Sequence, residues 1–258
     1  MIVSGLPTAG HVRNSFEKLA NCVLMAAKDN PAVTAEVLKN LMASCPAGFE
    51  DTFLKGRWMQ PPGAVFNAYS ANKHLTKTKG AKHIPVHLGI DLGNHGRAVI
   101  VQEQSNGDVL VVDEVITHMV GAKELCAEVK RRGWVISPGT SVICVDPKIS
   151  RDQKENIYAA FPGCFVKQLK PTDQYYHVLN GIQLMQAALQ TTDKHVWVRL
   201  TESLAGNADG VVAALETCRR NEVTGYIVKD DRTDHSRDAL RYVLCHLLKN
   251  KGPGVQIL

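Results

Sequence analysis

The chain has 258 residues, 45% of them hydrophobic, enough to bury the core of one large domain or of a domain with a smaller companion. Its 30 Lys and Arg against 25 Asp and Glu leave a net charge of +5, a mildly basic balance that suits a polyanionic partner and an ordinary basic surface equally well. Seven scattered cysteines without a CxxC pair exclude a disulfide framework and a zinc knuckle, no apolar run reaches the roughly 18 residues of a membrane span, and no signal-peptide pattern opens the chain, so a soluble, unexported protein with reduced thiols is expected.

The first twelve residues, MIVSGLPTAGHV, invite comparison with the phosphate loop GxxxxGK[ST], and Gly5 and Gly10 have its spacing. That loop needs a lysine for the phosphates and a hydroxyl for magnesium. His11 and Val12 stand in those places, so no nucleotide site is expected there. Phe16, Leu19, Val23 and Leu24 recur at helical spacing over Asn14 to Lys28, and a second short helix after Pro31 carries Val37, Leu38 and Leu41 on one face. Cys45 to Tyr69, with Pro46, Pro61, Pro62 and Gly56-Arg57-Trp58, reads as an irregular docked connection in which Trp58 is a packing anchor. Ser70 to Lys82, SANKHLTKTKGAK, is polar and reads as a linker and domain boundary, with Lys77 and Lys79 as candidates to follow a phosphate backbone.

Val86 to Gly93, VHLGIDLG, is predicted as a strand. Alternation puts Val86, Leu88, Ile90 and Leu92 on one face and His87, Gly89 and Asp91 on the other. An acid beside glycines in a strand marks a place where a ligand or another backbone comes close, and Gly89 and Gly93 are expected to leave room for ions and a phosphodiester. Two further strands, Arg97 to Gln104 and Val109 to Ile116, flank the turn Ser105-Asn106-Gly107-Asp108, a strong hairpin signal. Asp113 and Glu114 on the second of these are expected to face solvent. Gly121 to Arg132 is a predicted helix whose last turn holds Lys130, Arg131 and Arg132, where positive charge suits the dipole and could also meet phosphates.

Ser141 to Pro147, SVICVDP, is a continuous apolar run of the kind found in a doubly covered central strand, and it ends on Asp146. There follow a helix (Gln153 to Phe161), a strand (Phe165 to Leu169), a helix (Gln174 to Gln190), a strand (His195 to Leu200), a helix (Leu204 to Arg220) and a strand around Tyr226 to Val228. A closing helix opens on Asp234-His235-Ser236-Arg237-Asp238-Ala239-Leu240-Arg241-Tyr242 and continues to about Leu248, with Asp234 as its expected N-cap.

Three antiparallel strands, then alternating helices and strands, then a helix entered by acids, is the element order of a ribonuclease-H-like α/β fold. In that topology the first and fourth strands are parallel neighbours, so Asp91 and Asp146 would end side by side and the last helix would bring Asp238 against them. Three carboxylates form a hard, oxygen-rich set that suits magnesium or manganese rather than zinc. Two such ions about 4 Å apart can activate a water on one side of a phosphodiester and stabilise the leaving oxygen on the other. His235, three residues from Asp238, shares its helix face and is a candidate accessory group.

Together HLGIDLG, VICVDP and DHSRDALRY resemble the nuclease domain of the large subunit of viral DNA-packaging terminases, as found in tailed bacteriophages. SGLPTAGH resembles the segment after the Walker B strand of the ATPase domain in that family, and NPAVTAEVLKNL with LKGRWMQPPGAVF resembles the end of that domain. The resemblance covers essentially the whole chain. It implies an ATPase-domain remnant at 1–69 without Walker A or B, a linker at 70–82, and a nuclease domain of the resolvase/integrase superfamily at 83–258, as in a fragment or split reading frame. It further implies a metal-dependent endonuclease that cuts concatemeric double-stranded DNA during genome packaging in the host cytoplasm, with no ATPase activity from this chain alone. Asp91, Asp146 and Asp238 would be the catalytic metal ligands for Mg2+ or Mn2+, two ions in all, with His235 and Asp234 as accessories. The implied partners are duplex DNA, the terminase small subunit and the portal protein, with no membrane.

Three other readings compete, one of them a catalytically silent DNA-binding or assembly module, against which the presence of all three acids argues. A Holliday-junction-resolvase-like nuclease shares the fold but has no reason to carry the ATPase-like front segment. An actin- or sugar-kinase-like ATPase also opens on a DLG, but it needs a second acid followed by glycine, where Asp146 is followed by Pro147.

Overall fold

The computed structural model describes residues 29–37, 39, 63–93, 95–118, 121–173, 176–190, 195–221 and 224–248. The loop-like Gly5 to Val12 segment, the helix expected over Asn14 to Lys28, Leu38, Leu41 and Trp58 lie outside the described residues. The chain divides into two compact units, Met1–Ala64 with Arg219–Tyr226, and Val65–Cys218 with Ile227–Leu258. In the first, residues 35–37 and 39 are helical, as the pattern after Pro31 predicts. Ala64 there bridges Arg219 in antiparallel fashion, and the Arg220 N–H donates to the Gly63 carbonyl at 2.8 Å.

The second unit is built on a seven-stranded mixed sheet. Its strands are β1 (Leu75–Thr76), β2 (His87–Leu92), β3 (Gly96–Glu103), β4 (Val109–Ile116), β5 (Val142–Val145), β6 (Phe165–Gln168) and β7 (Val198–Thr201). Its helices are α1 (Ala71–His74), α2 (Ala122–Arg131), α3 (Arg151–Ala160), α4 (Val178–Leu189), α5 (Val211–Thr217) and α6 (Asp234–Leu248). The sheet order is β1-β7-β4-β3-β2-β5-β6. Strands β2, β3 and β4 form an antiparallel meander, β5 and β6 continue parallel to β2, and β7 returns parallel to β4. This is the α/β, ribonuclease-H-like arrangement, with β2 and β5 as parallel neighbours.

Period-two alternation gives the sheet a core on each face. Leu88, Ile90, Ile100, Ile143 and Val145 pack with Leu125 and Val129 of α2 and Ile157 of α3. On the other face Val99, Val101, Val111 and Cys144 pack with Ile182 and Met185 of α4, Val212 of α5 and Leu240 and Val243 of α6. The β3–β4 turn closes as its residues dictate: Gly107 takes a positive φ of 88°, and Asn106 Oδ1 accepts the Asp108 N–H at 3.1 Å. Helix α3 starts on a capping box in which Ser150 and Gln153 exchange side-chain and backbone bonds. Cys126, Cys144, Cys164, Cys218 and Cys245 are buried. Among the described residues no helix is long and apolar enough to cross a membrane.

Ser70 to Lys82, expected as a linker, instead contributes α1 and β1 to the second unit. β1 pairs in parallel with β7, and His74 is completely buried, its Nδ1 accepting the Ser70 N–H at 3.0 Å and its Nε2 lying 2.8 Å from the Leu189 carbonyl. A two-residue edge strand is held by backbone bonds rather than apolar side chains, and a buried histidine with both nitrogens partnered looks polar in sequence. The helix expected over Leu204 to Arg220 is a 3-10 turn at Glu202–Gly206 followed by the shorter α5, and no extended strand forms over Tyr226 to Val228.

Candidate metal centre

The register of β2 against β5 places Ile90 opposite Val145, so the next residue of each strand, Asp91 and Asp146, emerges side by side at the same sheet edge. Helix α6 crosses over β2 at Gly89. A Cβ there would lie 1.9 Å from the Ala239 carbonyl oxygen, so only glycine allows this approach. A Cβ on Gly93 would lie 2.0 Å from the His235 ring. Both glycines thus make room for α6 and its histidine, where the sequence led us to expect room for ions and a phosphodiester.

Three carboxylates meet at this edge. Burial pushes the Asp146 carboxyl above the usual carboxylate range, the Lys148 N–H opposes that rise, and the negative charges of Asp91 and Asp238 add to it. Each acid is anchored through one oxygen. Asp91 Oδ1 accepts the Gly93 N–H at 3.1 Å and lies 3.2 Å from His235 Nδ1. Asp146 Oδ1 accepts the Lys148 N–H at 2.7 Å. Asp238 Oδ1 accepts from Arg241 Nε at 3.1 Å and lies 3.6 Å from Arg237 Nε. Among the described residues, no hydrogen bond reaches Oδ2 of any of the three.

His235 is held by that contact. Its hydrogen bond to Asp91 raises its pKa above the ordinary imidazole value; burial opposes the rise and the Asp91 charge adds to it. The ring of His95 lies 6.2 Å from His235 and 5.1 Å from His118, a group of imidazoles beside the carboxylates that the sequence pattern did not flag. Asp234 is not the N-cap expected of it. It sits inside the first turn of α6, Oδ2 accepting the Asp230 N–H at 3.0 Å and Oδ1 accepting from Arg237 Nη1 at 2.5 Å, so both oxygens are occupied.

Beneath the acids lies a buried polar layer. Arg97 is the cross-strand partner of Asp91, and its guanidinium donates to the carbonyls of Thr117 at 3.3 Å and Arg232 at 3.2 Å. Glu114, expected to face solvent, is buried: one oxygen accepts the Val211 N–H at 2.8 Å, and burial pushes its carboxyl up to about 7. Strand alternation could not reveal this, because its partner lies on α5, far along the chain. Arg237 and Arg241 were legible only as charges spaced three residues after Asp234 and Asp238.

The basic residues after α2 stand elsewhere. The Val86 N–H donates to the Val135 carbonyl at 2.9 Å, which puts the segment after α2 at the start of β2, and Arg132 reaches Asp113, which stands level with Leu88. Lys130 is exposed, Arg131 grips Glu128 at 2.8 and 2.7 Å, and Arg132 pairs with Glu128 and Asp113 at 3.2 Å each. These side chains were expected to contact phosphates, but the structure does not bring them to the carboxylate edge. Lys77 and Lys79 are exposed just beyond β1.

The donor chemistry fits a hard cation. Carboxylate oxygens such as those of Asp91, Asp146 and Asp238 are the kind of donor Mg2+ or Mn2+ takes, Mg2+ commonly through one or two carboxylates with water completing its shell. Among the described residues, no three His, Cys, Asp or Glu side chains are arranged to close on one ion by themselves. Carboxylates whose other oxygen is fixed by hydrogen bonds match the way metal ligands are oriented by their neighbours.

Solved structures place this architecture. The large terminase from a thermophilic bacteriophage is similar over 94% of this chain and 62% of that one, with 16% identity and a TM-score of 0.58. The P22 large terminase nuclease domain is similar over 74% of this chain and 94% of that one, with 13% identity and a TM-score of 0.55. At these identities the likeness is one of fold: the chain has the fold of terminase large-subunit nuclease domains. It spans 62% of the thermophilic phage protein's length. No protein-family model matches the chain, and no curated protein matches it.

Proposed function

We propose that this chain carries the nuclease of a bacteriophage terminase large subunit and cuts concatemeric double-stranded DNA during genome packaging, using divalent metal ions. The observation that carries the reading is the set of three carboxylates, each anchored through one oxygen with the other uncommitted, at the edge where β2 and β5 end under α6. Support also comes from the fold shared with terminase nuclease domains.

Asp91, Asp146 and Asp238 would hold Mg2+ or Mn2+, in our reading two ions. Bound there, the metal supplies an activated water and charge stabilisation of the leaving oxygen in phosphodiester hydrolysis. The chain's own residues do the rest. The Gly93 and Lys148 amides and Arg241 fix the three carboxylates, so they need no reorganisation when a phosphodiester arrives. The hydrogen bond from His235 to Asp91 favours the protonated imidazole, which tempers the repulsion among the acids. Exposed Lys148 and the His95–His118 pair border the site and are better placed than Lys130 to Arg132 to meet a backbone phosphate. In the whole packaging machine the small subunit and portal protein would be the protein partners.

The test is plasmid cleavage. The purified chain should nick and linearise plasmid DNA with Mn2+ or Mg2+ and stop when the ion is chelated. Cleavage that persists in Asp91→Ala and Asp238→Ala, or no cleavage with any divalent ion, would overturn the assignment. ATP turnover by the isolated chain would point instead to the kinase-like reading.

A further inference from the structure

Asp238 differs from the other two acids in what anchors it: a buried arginine from its own helix rather than a backbone amide. We propose that Arg241 is the positioning residue that orients Asp238 toward the metal, and that Gly181 of α4 determines where Arg241 lies. The inference rests on the metal-dependent reading above.

Arg241 is 3% exposed. Its Nε donates to Asp238 Oδ1 at 3.1 Å, its Cζ lies 4.7 Å over the Tyr242 ring, and its buried Nη1 has no hydrogen-bond partner among the described residues. A guanidinium kept dry with a donor unsatisfied is costly, and such groups collect where a site needs them in place. The neighbouring Arg237 is committed elsewhere, to Asp234 Oδ1 at 2.5 Å and to Cys218 Sγ at 3.5 Å, and only its Nε comes within 3.6 Å of Asp238. With Oδ1 clamped by Arg241, the Asp238 carboxylate cannot turn, and Oδ2 is presented in one direction.

Gly181 is what admits the arginine. A Cβ at that position would lie 2.7 Å from Arg241 Cδ and 2.9 Å from its Cγ, so the stem of Arg241 runs through the space that any side chain on α4 would fill. Glycine is unfavourable inside a helix, and here the close packing of α4 on α6 supplies the reason for it. A residue on a helix that provides none of the carboxylates therefore bears on the geometry of the metal site.

Two substitutions isolate orientation from charge. Arg241→Lys keeps the positive charge but replaces a planar fork by a point charge on a flexible stem. Gly181→Ala keeps every charge and every ligand, displaces the Arg241 stem, and leaves α4 with a better helix former. Mn2+ should be titrated into the DNA-free chain, reading free ion by its paramagnetic resonance signal, with thermal unfolding and plasmid cleavage measured on the same preparations. Both variants should bind Mn2+ about tenfold more weakly than wild type, with cleavage at limiting Mn2+ reduced in step and Gly181→Ala melting close to wild type. Mn2+ affinity within twofold of wild type in both variants would overturn the positioning role while leaving the nuclease reading intact. If Arg241→Lys does not fold, Gly181→Ala decides alone. A wild-type chain that binds no Mn2+ would overturn the metal-dependent reading, and this inference with it.

Discussion

Two regions of the central sheet handle carboxylates in two ways. Away from the Asp91 edge, midway along β4 and level with Leu88, Asp113 has both oxygens engaged: Oδ1 takes Arg132 at 3.2 Å and the Glu114 N–H at 2.8 Å, and Oδ2 takes the Trp134 indole N–H at 2.9 Å. Asp108 is likewise full, with His195 at 2.8 Å on one oxygen and Asn106 at 2.8 Å on the other. At the carboxylate edge Asp91, Asp146 and Asp238 are each held by one oxygen only. A carboxylate that serves the fold satisfies its lone pairs within the fold, whereas one held on a single side is oriented for something outside it. By this measure Asp234, grouped at first with the site, sides with the structural acids.

The largest expected effect breaks the carboxylate edge. Asp91→Ala or Asp238→Ala should lower metal-dependent plasmid cleavage on the order of 1,000-fold. Asp113→Asn, measured in the same assay, should leave the rate within a fewfold of wild type.

A second prediction concerns the buried layer beneath the acids. Glu114 has a folded pKa of about 7, above its unfolded value, so its protonated form suits the fold. The stability it contributes is complete below about pH 4.5 and is lost as pH rises through about 7. Glu114→Gln cannot titrate but can still accept the Val211 N–H. Followed by chemical unfolding from pH 5 to 8, the variant should gain on wild type by on the order of 2 to 3 kcal/mol, with most of the gain complete by pH 7. Parallel stability curves would show that Glu114 is ionised throughout.

The smallest effect sharpens the structural side of the comparison. Asp113→Asn should cost about 1 to 2 kcal/mol in urea unfolding, through the Trp134 and Arg132 bonds it weakens.

Much of the site was legible because it depends on local pattern. The alternation of VHLGIDLG aims Asp91 to one face, the apolar run SVICVDP delivers Asp146 at the end of a central strand, and the hairpin at Asn106-Gly107 forces β3 and β4 to meander back beside β2. What escaped depends on distant partners. His74 looks like a linker residue until Leu189 is brought to it, and Glu114 looks exposed until the Val211 amide is brought to it. Gly89 beside Asp91 reads as a place where a ligand or another backbone comes close, and nothing in the sequence says that it is the backbone of α6. Lys130 to Arg132 read as phosphate contacts by charge alone, and the strand direction puts them away from the carboxylate edge.

Whether the acids with a spare oxygen form a cation site is tested most directly by Mn2+ binding to the DNA-free chain, compared among wild type, Asp146→Asn and Asp113→Asn. Saturable binding with the same affinity in wild type and Asp113→Asn, and its loss in Asp146→Asn, is the predicted result. Equal affinity in wild type and Asp146→Asn, or no binding by wild type, would contradict it.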